Sequence, residues 1–222
     1  MSAPRPAAFL DRDGVINIDS ALYIKSPAEW KALPGSLEAI ARLNQAGYKV
    51  VVATNQSGIG RGLFDMDTLN AMHEKMHKGL AAVGGRVDAI FYCPHTADEG
   101  CSCRKPKPGM FERIAKLYNQ DLTGVPAIGD SLRDLQAASA LGCAPILVRT
   151  GKGAALTDAQ AAIWLKTSLH RRLDLRHRGQ LAHGPRPPST PPPTRSTRRH
   201  LRSAAHKARD IDKGHSRRDD SF

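Results

Sequence analysis

The sequence predicts an α/β fold, a parallel sheet with helices packed on both faces. Two observations lead there. Five short apolar runs, each too short for a helix, alternate with segments whose apolar residues recur at helical spacing. The runs are apolar throughout rather than every second residue, as strands buried on both faces are. At 222 residues the chain has length for one ordinary domain with a sizeable core, and residues to spare.

The first run, Ala7 to Leu10, stops at two carboxylates, Asp11 and Asp13, and Gly14 then lets the chain turn sharply. Asn17 to Leu33 is polar and irregular, with Pro27 and Trp30, and reads as a loop or small flap. Pro34-Gly35-Ser36 introduces a helix with Leu37, Ile40, Ala41 and Leu43 at helical spacing, closed by Gly47. Lys49 to Ala53 is a second strand, ending in the small polar loop Thr54 to Gly62. Asp65 to Val83 is helical, with Leu69, Met72, Met76 and Leu80 on one face and Asp67 able to cap or complement its start. The methionines are core filler. His73 and His77, four apart on that helix, are assigned to a solvated face, since no third metal ligand lies in sequence reach. Val87 to Tyr92 is a third strand running into Cys93-Pro94-His95 and Cys101-Ser102-Cys103. Pro108-Gly109-Met110 opens a helix carrying Phe111, Ile114, Ala115 and Leu117. Val125 to Gly129 is a fourth strand ending at Asp130-Ser131, Leu132 to Leu141 a short helix closed by Gly142, and Ala144 to Val148 a fifth strand.

The net charge of +12 is unevenly spread. Residues 166–222 hold 15 of the 33 basic and 5 of the 21 acidic residues, which leaves 18 against 16 for residues 1–165. The basicity belongs to the tail. With aromatics at 5% the domain offers no base-stacking platform, so a nucleic-acid partner is not expected. Met1 to Pro6 has no apolar signal region and no run reaches the length of a membrane span, so a cytoplasmic protein without a membrane partner is expected. From Thr167 the composition turns to Arg, His, Pro and Ser, and the stretch Pro185 to Pro193 suits neither helix nor central strand. Residues 1–166 are therefore assigned to the domain and residues 167–222 to a disordered basic tail. The tail is either a basic arm or, the preferred reading, a segment replaced by a shift of reading frame.

In a parallel sheet the ends of strands one, two and four share one edge, so Asp11, Asp13, Thr54 and Asp130 should converge in the crevice there. Asp11, Asp13 and Asp130 are candidate oxygen ligands for one Mg2+, and an aspartate can attack phosphorus to give an aspartyl-phosphate. Thr54 and the glycine-rich loop behind it suit phosphoryl oxygens, and Lys105 would offset charge growing in the transition state. Cys93, His95, Cys101 and Cys103 give three thiolates and one imidazole, a closed tetrahedral set for a structural Zn2+ that staples one loop. Arg104 and Lys105 follow directly and would be delivered into the site, Arg for bidentate phosphate recognition and Lys as a point charge.

The order Asp11-x-Asp13-Gly14, Thr54-Asn55, Lys105 and Gly129-Asp130 resembles the four motifs of the haloacid dehalogenase (HAD) superfamily of phosphatases. The resemblance covers about residues 7–150 and implies a Rossmann-like three-layer fold with Asp11 as nucleophile and Asp13 as general acid/base. It also implies that Thr54 and Lys105 hold the phosphoryl group and that Asp130 completes the Mg2+ site. The zinc loop, with Phe9 to Asn17, Thr54 to Gly62 and Arg104 to Met110, is similar to the D-glycero-D-manno-heptose 1,7-bisphosphate 7-phosphatase family. That similarity implies a sugar bisphosphate on the path to lipopolysaccharide as substrate, and no large cap domain. It assigns substrate contacts to Asp19, Ser20, Ala21, Leu22, Thr54, Asn55, Gln56, Ser57, Arg104, Lys105 and Ser131. A monomer is expected. The alternative is histidinol-phosphate phosphatase, whose family has the same motifs and zinc loop; a polynucleotide phosphatase or a nucleic-acid-binding zinc protein ranks lower.

Overall fold

The computed structural model describes residues 6–160, so the expected 167–222 tail lies outside the described residues. Five strands form one sheet: β1 (Ala7–Leu10), β2 (Lys49–Asn55), β3 (Ala89–Cys93), β4 (Pro126–Gly129) and β5 (Ala144–Leu147). Their order is β3-β2-β1-β4-β5 and every pairing is parallel. The helices between them are α1 (Ser36–Gln45), α2 (Met66–Ala82), α3 (Gly109–Tyr118) and α4 (Leu132–Ser139), and a short 3-10 turn, Gly151–Ala155, follows β5.

Side chains alternate across a strand, and here both faces are covered. Ala7 and Phe9 point into one core with Val51 and Ala53, closed by Met110, Phe111 and Ile114 of α3 and Ala137 and Ala138 of α4. Ala8 and Leu10 point the other way with Val50 and Val52, against Ile40 of α1 and Leu69, Met72, Met76 and Leu80 of α2. This is the expected three-layer arrangement, with the methionines as core filler.

The strand ends differ from expectation by a residue or two, for local reasons. β2 runs on to Asn55 because β3 keeps pairing with it, Thr54 opposite Tyr92 and Asn55 opposite Cys93. β3 starts at Ala89; just ahead of it Asp88 already meets β2, its N–H donating to the Val50 carbonyl (2.7 Å) and its carboxylate accepting the Val50 N–H (2.9 Å). At α2 the capping residue is Asp65, which accepts the Thr68 N–H at 2.8 Å, and Asp67 lies within the first turn.

His73 departs from expectation: it is buried on the inner face of α2. Burial, with Arg12 and His77 adding to it, pushes its imidazole down to about 4. The flap between β1 and α1 is anchored at its base. Ile16, Ile24 and Trp30 are buried against α2's core, and the Lys75 ammonium reaches the carbonyls of Pro27 (2.6 Å) and Trp30 (2.8 Å). Among the described residues no helix is long and apolar enough to cross a membrane, and no separate cap domain interrupts the sheet.

Candidate active site

β1 lies between β2 and β4, and the chain runs outward from it in both directions across the sheet. The crevice at such a switch point, beyond the carboxyl ends of the strands, is where open α/β sheets bind ligands. Asp11 follows β1 directly and Asp130 follows β4. Their carboxylates meet that of Asp134, from the first turn of α4, with ligand oxygens all within 4.8 Å of one another. The Lys105 ammonium is buried among them, 3.1 Å from Asp11 Oδ1, 2.6 Å from Asp134 Oδ1 and 2.7 Å from the Ala53 carbonyl.

Three buried carboxylates against one ammonium leave an excess of negative charge. Burial pushes Asp11 up to about 7, with Lys105 pulling the other way and Asp134 and Asp13 adding to the rise. Burial likewise pushes Asp130 up to about 6. Burial acts on Asp134 too, but Lys105 and the Ser131 hydroxyl hold that carboxyl below its usual range. Lys105 is held above its ordinary value against its own burial by Asp11 and Asp134. A small divalent cation relieves this imbalance, and carboxylate oxygens are the ligands Mg2+ takes. The backbone is shaped around Asp130. A Cβ on Gly14 (φ +80°) would stand 2.1 Å from Asp130 Oδ2, one on Gly151 (φ +50°) 2.2 Å, and the Lys152 N–H donates to the same oxygen at 2.8 Å. The donor set and its cradle fit the expected Mg2+.

Asp13, expected with Asp11 and Asp130 as an oxygen ligand of Mg2+, turns its carboxylate into a separate network. It accepts from Arg12 Nε (3.0 Å) and Asn17 Nδ2 (2.9 Å) on Oδ1, and from Arg12 Nη2 (3.1 Å) and Gln56 Nε2 (2.9 Å) on Oδ2. Burial opposes ionisation there, but Arg12 and these donors hold the carboxyl below its usual range. The turn explains the parting. The Arg12 carbonyl accepts the N–H groups of Val15 (3.3 Å), Ile16 (2.8 Å) and Asn17 (3.1 Å), which winds the chain tightly after Arg12. What Asp13 retains for a metal is its main-chain carbonyl, which accepts no hydrogen bond among the described residues.

The second cluster lies beyond β3. Cys93, Cys101 and Cys103 have sulfurs 3.4–3.6 Å apart, and His95 Nδ1 is 3.6 Å from Cys93 Sγ and 3.3 Å from Cys103 Sγ. A zinc–sulfur bond of about 2.3 Å in tetrahedral geometry implies edges of about 3.8 Å, so the four atoms fit Zn2+ with slight expansion. The loop they close leads into the active site. Asn55 holds the Lys105 main chain from both sides, donating to its carbonyl (3.1 Å) and accepting its N–H (3.1 Å). Arg104 donates to the His95 carbonyl at 3.1 Å, and the Lys107 ammonium to that of Gly100 at 2.7 Å.

The expected substrate contacts are unevenly placed. Thr54 is buried and its hydroxyl accepts from Gln56 Nε2 at 3.1 Å, beside the Asp13 network. Ser57 is buried in the same loop. Asn55 and Gln56 are committed to Lys105 and to Arg12, Asp13 and Thr54, and the Ser131 hydroxyl donates to Asp134 within the capping box of α4. Asp19 pairs with the Lys152 ammonium, the Ser20 hydroxyl accepts the Leu22 N–H at 3.1 Å, and Leu22 is 75% exposed.

Three residues here carry no assignment from the sequence: Asp134, Lys152 and the buried Arg12. Asp134 had a signal in Ser131-x-x-Asp134, the capping-box spacing at the start of a helix. Lys152 had a weaker one, a lysine between Gly151 and Gly153 just past the fifth strand, at the same sheet edge.

Comparison with known proteins adds the following. The family model described as polynucleotide kinase 3 phosphatase matches residues 7–131, and one described as HAD-hydrolase-like matches residues 102–174. A D-glycero-beta-D-manno-heptose-1,7-bisphosphate 7-phosphatase from Bordetella bronchiseptica is 68% identical over 145 residues, which is 65% of this chain and 81% of the relative. The protein of the same name from Pseudomonas aeruginosa is 56% identical over 149 residues, 67% of this chain and 84% of the relative. A crystal structure of D,D-heptose 1,7-bisphosphate phosphatase from B. bronchiseptica, complexed with magnesium and phosphate, superposes with a TM-score of 0.67 at 58% identity. That superposition covers 73% of this chain and 97% of the other.

Proposed function

The chain belongs to the HAD-type phosphatases matched by the polynucleotide kinase 3 phosphatase model and, within them, to the D-glycero-beta-D-manno-heptose-1,7-bisphosphate 7-phosphatases, and from that premise we propose that it removes the 7-phosphate of the beta-anomeric heptose bisphosphate. The observation that supports this most is the carboxylate cluster of Asp11, Asp130 and Asp134 around Lys105, at the end of a zinc-competent loop. Asp11 is the nucleophile: a carboxylate oxygen bonds to phosphorus as the bond to the leaving oxygen breaks, giving an aspartyl-phosphate and the sugar alcohol. Asp13, once it has taken up a proton against the pull of Arg12, passes it to that leaving oxygen. The Asp13 carboxylate then takes a proton from the water that hydrolyses the aspartyl-phosphate, returning Asp11 and inorganic phosphate. Thr54 and Lys105 hold the phosphoryl oxygens, and Asp134 holds Lys105. Mg2+ would be held by Asp11, Asp130 and the Asp13 main-chain carbonyl, where it supplies positive charge to the transferring phosphoryl group. Zn2+ would be held by Cys93, His95, Cys101 and Cys103 and would fix the loop from which Arg104 and Lys105 extend. The product leads toward activated heptose and lipopolysaccharide, and the reduced thiols of the zinc loop suit the cytoplasm.

The description of the longer matching family model favours one other reading, a phosphatase of polynucleotide ends. Phosphate release from heptose bisphosphate, histidinol phosphate, fructose bisphosphate and a 3′-phosphorylated oligonucleotide separates the readings. Heptose bisphosphate should have the highest kcat/KM. Equal or better efficiency on histidinol phosphate or the oligonucleotide would move the assignment.

A further inference from the structure

We propose that Arg12 is a positioning residue for the reaction: its guanidinium locks the Asp13 carboxylate in one orientation, away from the Asp11–Asp130–Asp134 cluster, and so sets the geometry of proton transfer. The proposal deepens the function above and rests on its reading of Asp13 as the acid/base.

Arg12 is wholly buried, at 0% exposure. A guanidinium is seldom taken out of water without a partner, because desolvation is severe. Its partner here is its own neighbour. Nε and Nη2 bond the two oxygens of Asp13 at 3.0 and 3.1 Å. An ion pair between adjacent residues joins no distant parts of the chain; that link comes from the guanidinium's bond to Gln56, 44 residues on. What it does fix is a rotamer. A flat, two-pronged donor facing both oxygens leaves the carboxylate one plane to lie in.

The grip is doubled through Gln56. Arg12 Nη2 donates to Gln56 Oε1 at 3.0 Å, which turns the amide so that Nε2 faces Asp13 Oδ2 (2.9 Å) and Thr54 Oγ1 (3.1 Å). Without the guanidinium the amide loses the contact that sets its direction. The carboxylate would then keep only Asn17 as a firmly placed donor and be free to swing.

The experiment compares two leaving groups in single and double variants. Arg12→Met should lower kcat on the sugar phosphate, whose alkoxide needs a proton to leave, about a hundredfold. Single-turnover formation of the phosphoenzyme from p-nitrophenyl phosphate, whose leaving group departs unprotonated, should stay within about threefold of the parent. In an Asp13→Asn background Arg12→Met should cost nothing further, since removing the acid/base removes what Arg12 acts through. Arg12→Lys should recover only part of the rate, because an ammonium cannot span both oxygens. Should Arg12→Met fail to fold, Gln56→Leu loosens the same carboxylate, and its loss too should vanish in the Asp13→Asn background. Equal losses on both leaving groups, or losses that multiply with Asp13→Asn, overturn the proposal and leave the reading of Asp13 standing. An Asp13→Asn variant that turns over normally overturns that reading itself, and the proposal with it.

Discussion

The carboxylate cluster and the cysteine cluster are assembled in opposite ways. Asp11, Lys105, Asp130 and Asp134 come from loops after β1, β3 and β4 and from the first turn of α4, and meet only because β1 lies beside β4. The cysteine cluster is local: Cys93 and Cys103 are ten residues apart. The first gathers like charges that repel until a cation arrives; the second offers soft donors already near tetrahedral spacing. One centre is held together by the fold at an electrostatic cost, and the other holds its own loop together. Chemistry is placed where the fold must bear strain, and positioning where the chain can supply it cheaply.

The comparison breaks first, if it is wrong, at Asp11. Asp11→Asn should lower turnover at least about 10⁴-fold, as loss of a nucleophile does, while the melting temperature holds or rises by a few degrees, because a repelling charge is gone. Steady-state phosphate release near the parent rate would rule out Asp11 as nucleophile. A collapse of the fold would instead make the carboxylate cluster a structural one.

Cys101→Ser tests the other centre. Metal analysis should find about one zinc per chain in the parent and much less in the variant. Activity should drop about ten- to a hundredfold through the loosened Lys105 loop, in line with what disturbing support around a site does. Active, freshly purified protein without zinc would contradict the assignment.

A further test lies at His73, on the inner face of α2 and within the field of Arg12 and Asp13. Its folded value of about 4 is below the 6.5 of an unfolded chain. Above pH 6.5 both states are neutral and it has no effect. Between 6.5 and 4 only the unfolded chain takes up the proton, so stability falls as pH drops through that window, by up to about 3 kcal/mol. Denaturant titrations in that range should show the slope, and His73→Met should flatten it while sparing turnover at neutral pH.

The smallest effect is expected at Ser131. Ser131→Ala removes one side of the α4 capping box, which amounts to about 1 kcal/mol by chemical denaturation. A large rise in KM instead would show the hydroxyl meeting substrate rather than Asp134.

The same contrast decides what could be read in advance. All four members of the cysteine–histidine cluster were legible, because their chemistry is contiguous in the sequence. Asp11 and Asp130 were legible because an apolar strand that stops at a carboxylate marks the sheet edge. Asp134 was not, since it sits one helical turn past that edge and its spacing from Ser131 signals only a helix start. The orientation of Asp13 was not, because two carboxylates with one residue between them suggest a shared cation, and nothing in the spacing shows that Arg12 goes inside. His73 shares its register with Leu69, Met72 and Met76 on the inner face, which its metal-like spacing with His77 conceals.

The shortness of the cysteine loop bears on how the protein comes into being. Closing so few residues loses little chain entropy, so the thiolates and imidazole can capture zinc as soon as residue 103 leaves the ribosome. At that moment the segments of β1, β2 and β3 are outside and free to pair, and that of β4, with Asp130, is not. A metal bound equally by the growing and the finished chain adds little to the final free energy of folding. Its contribution is to timing: Lys105 is tethered beside its place, near Asp11, before Asp130 and Asp134 fold in around it.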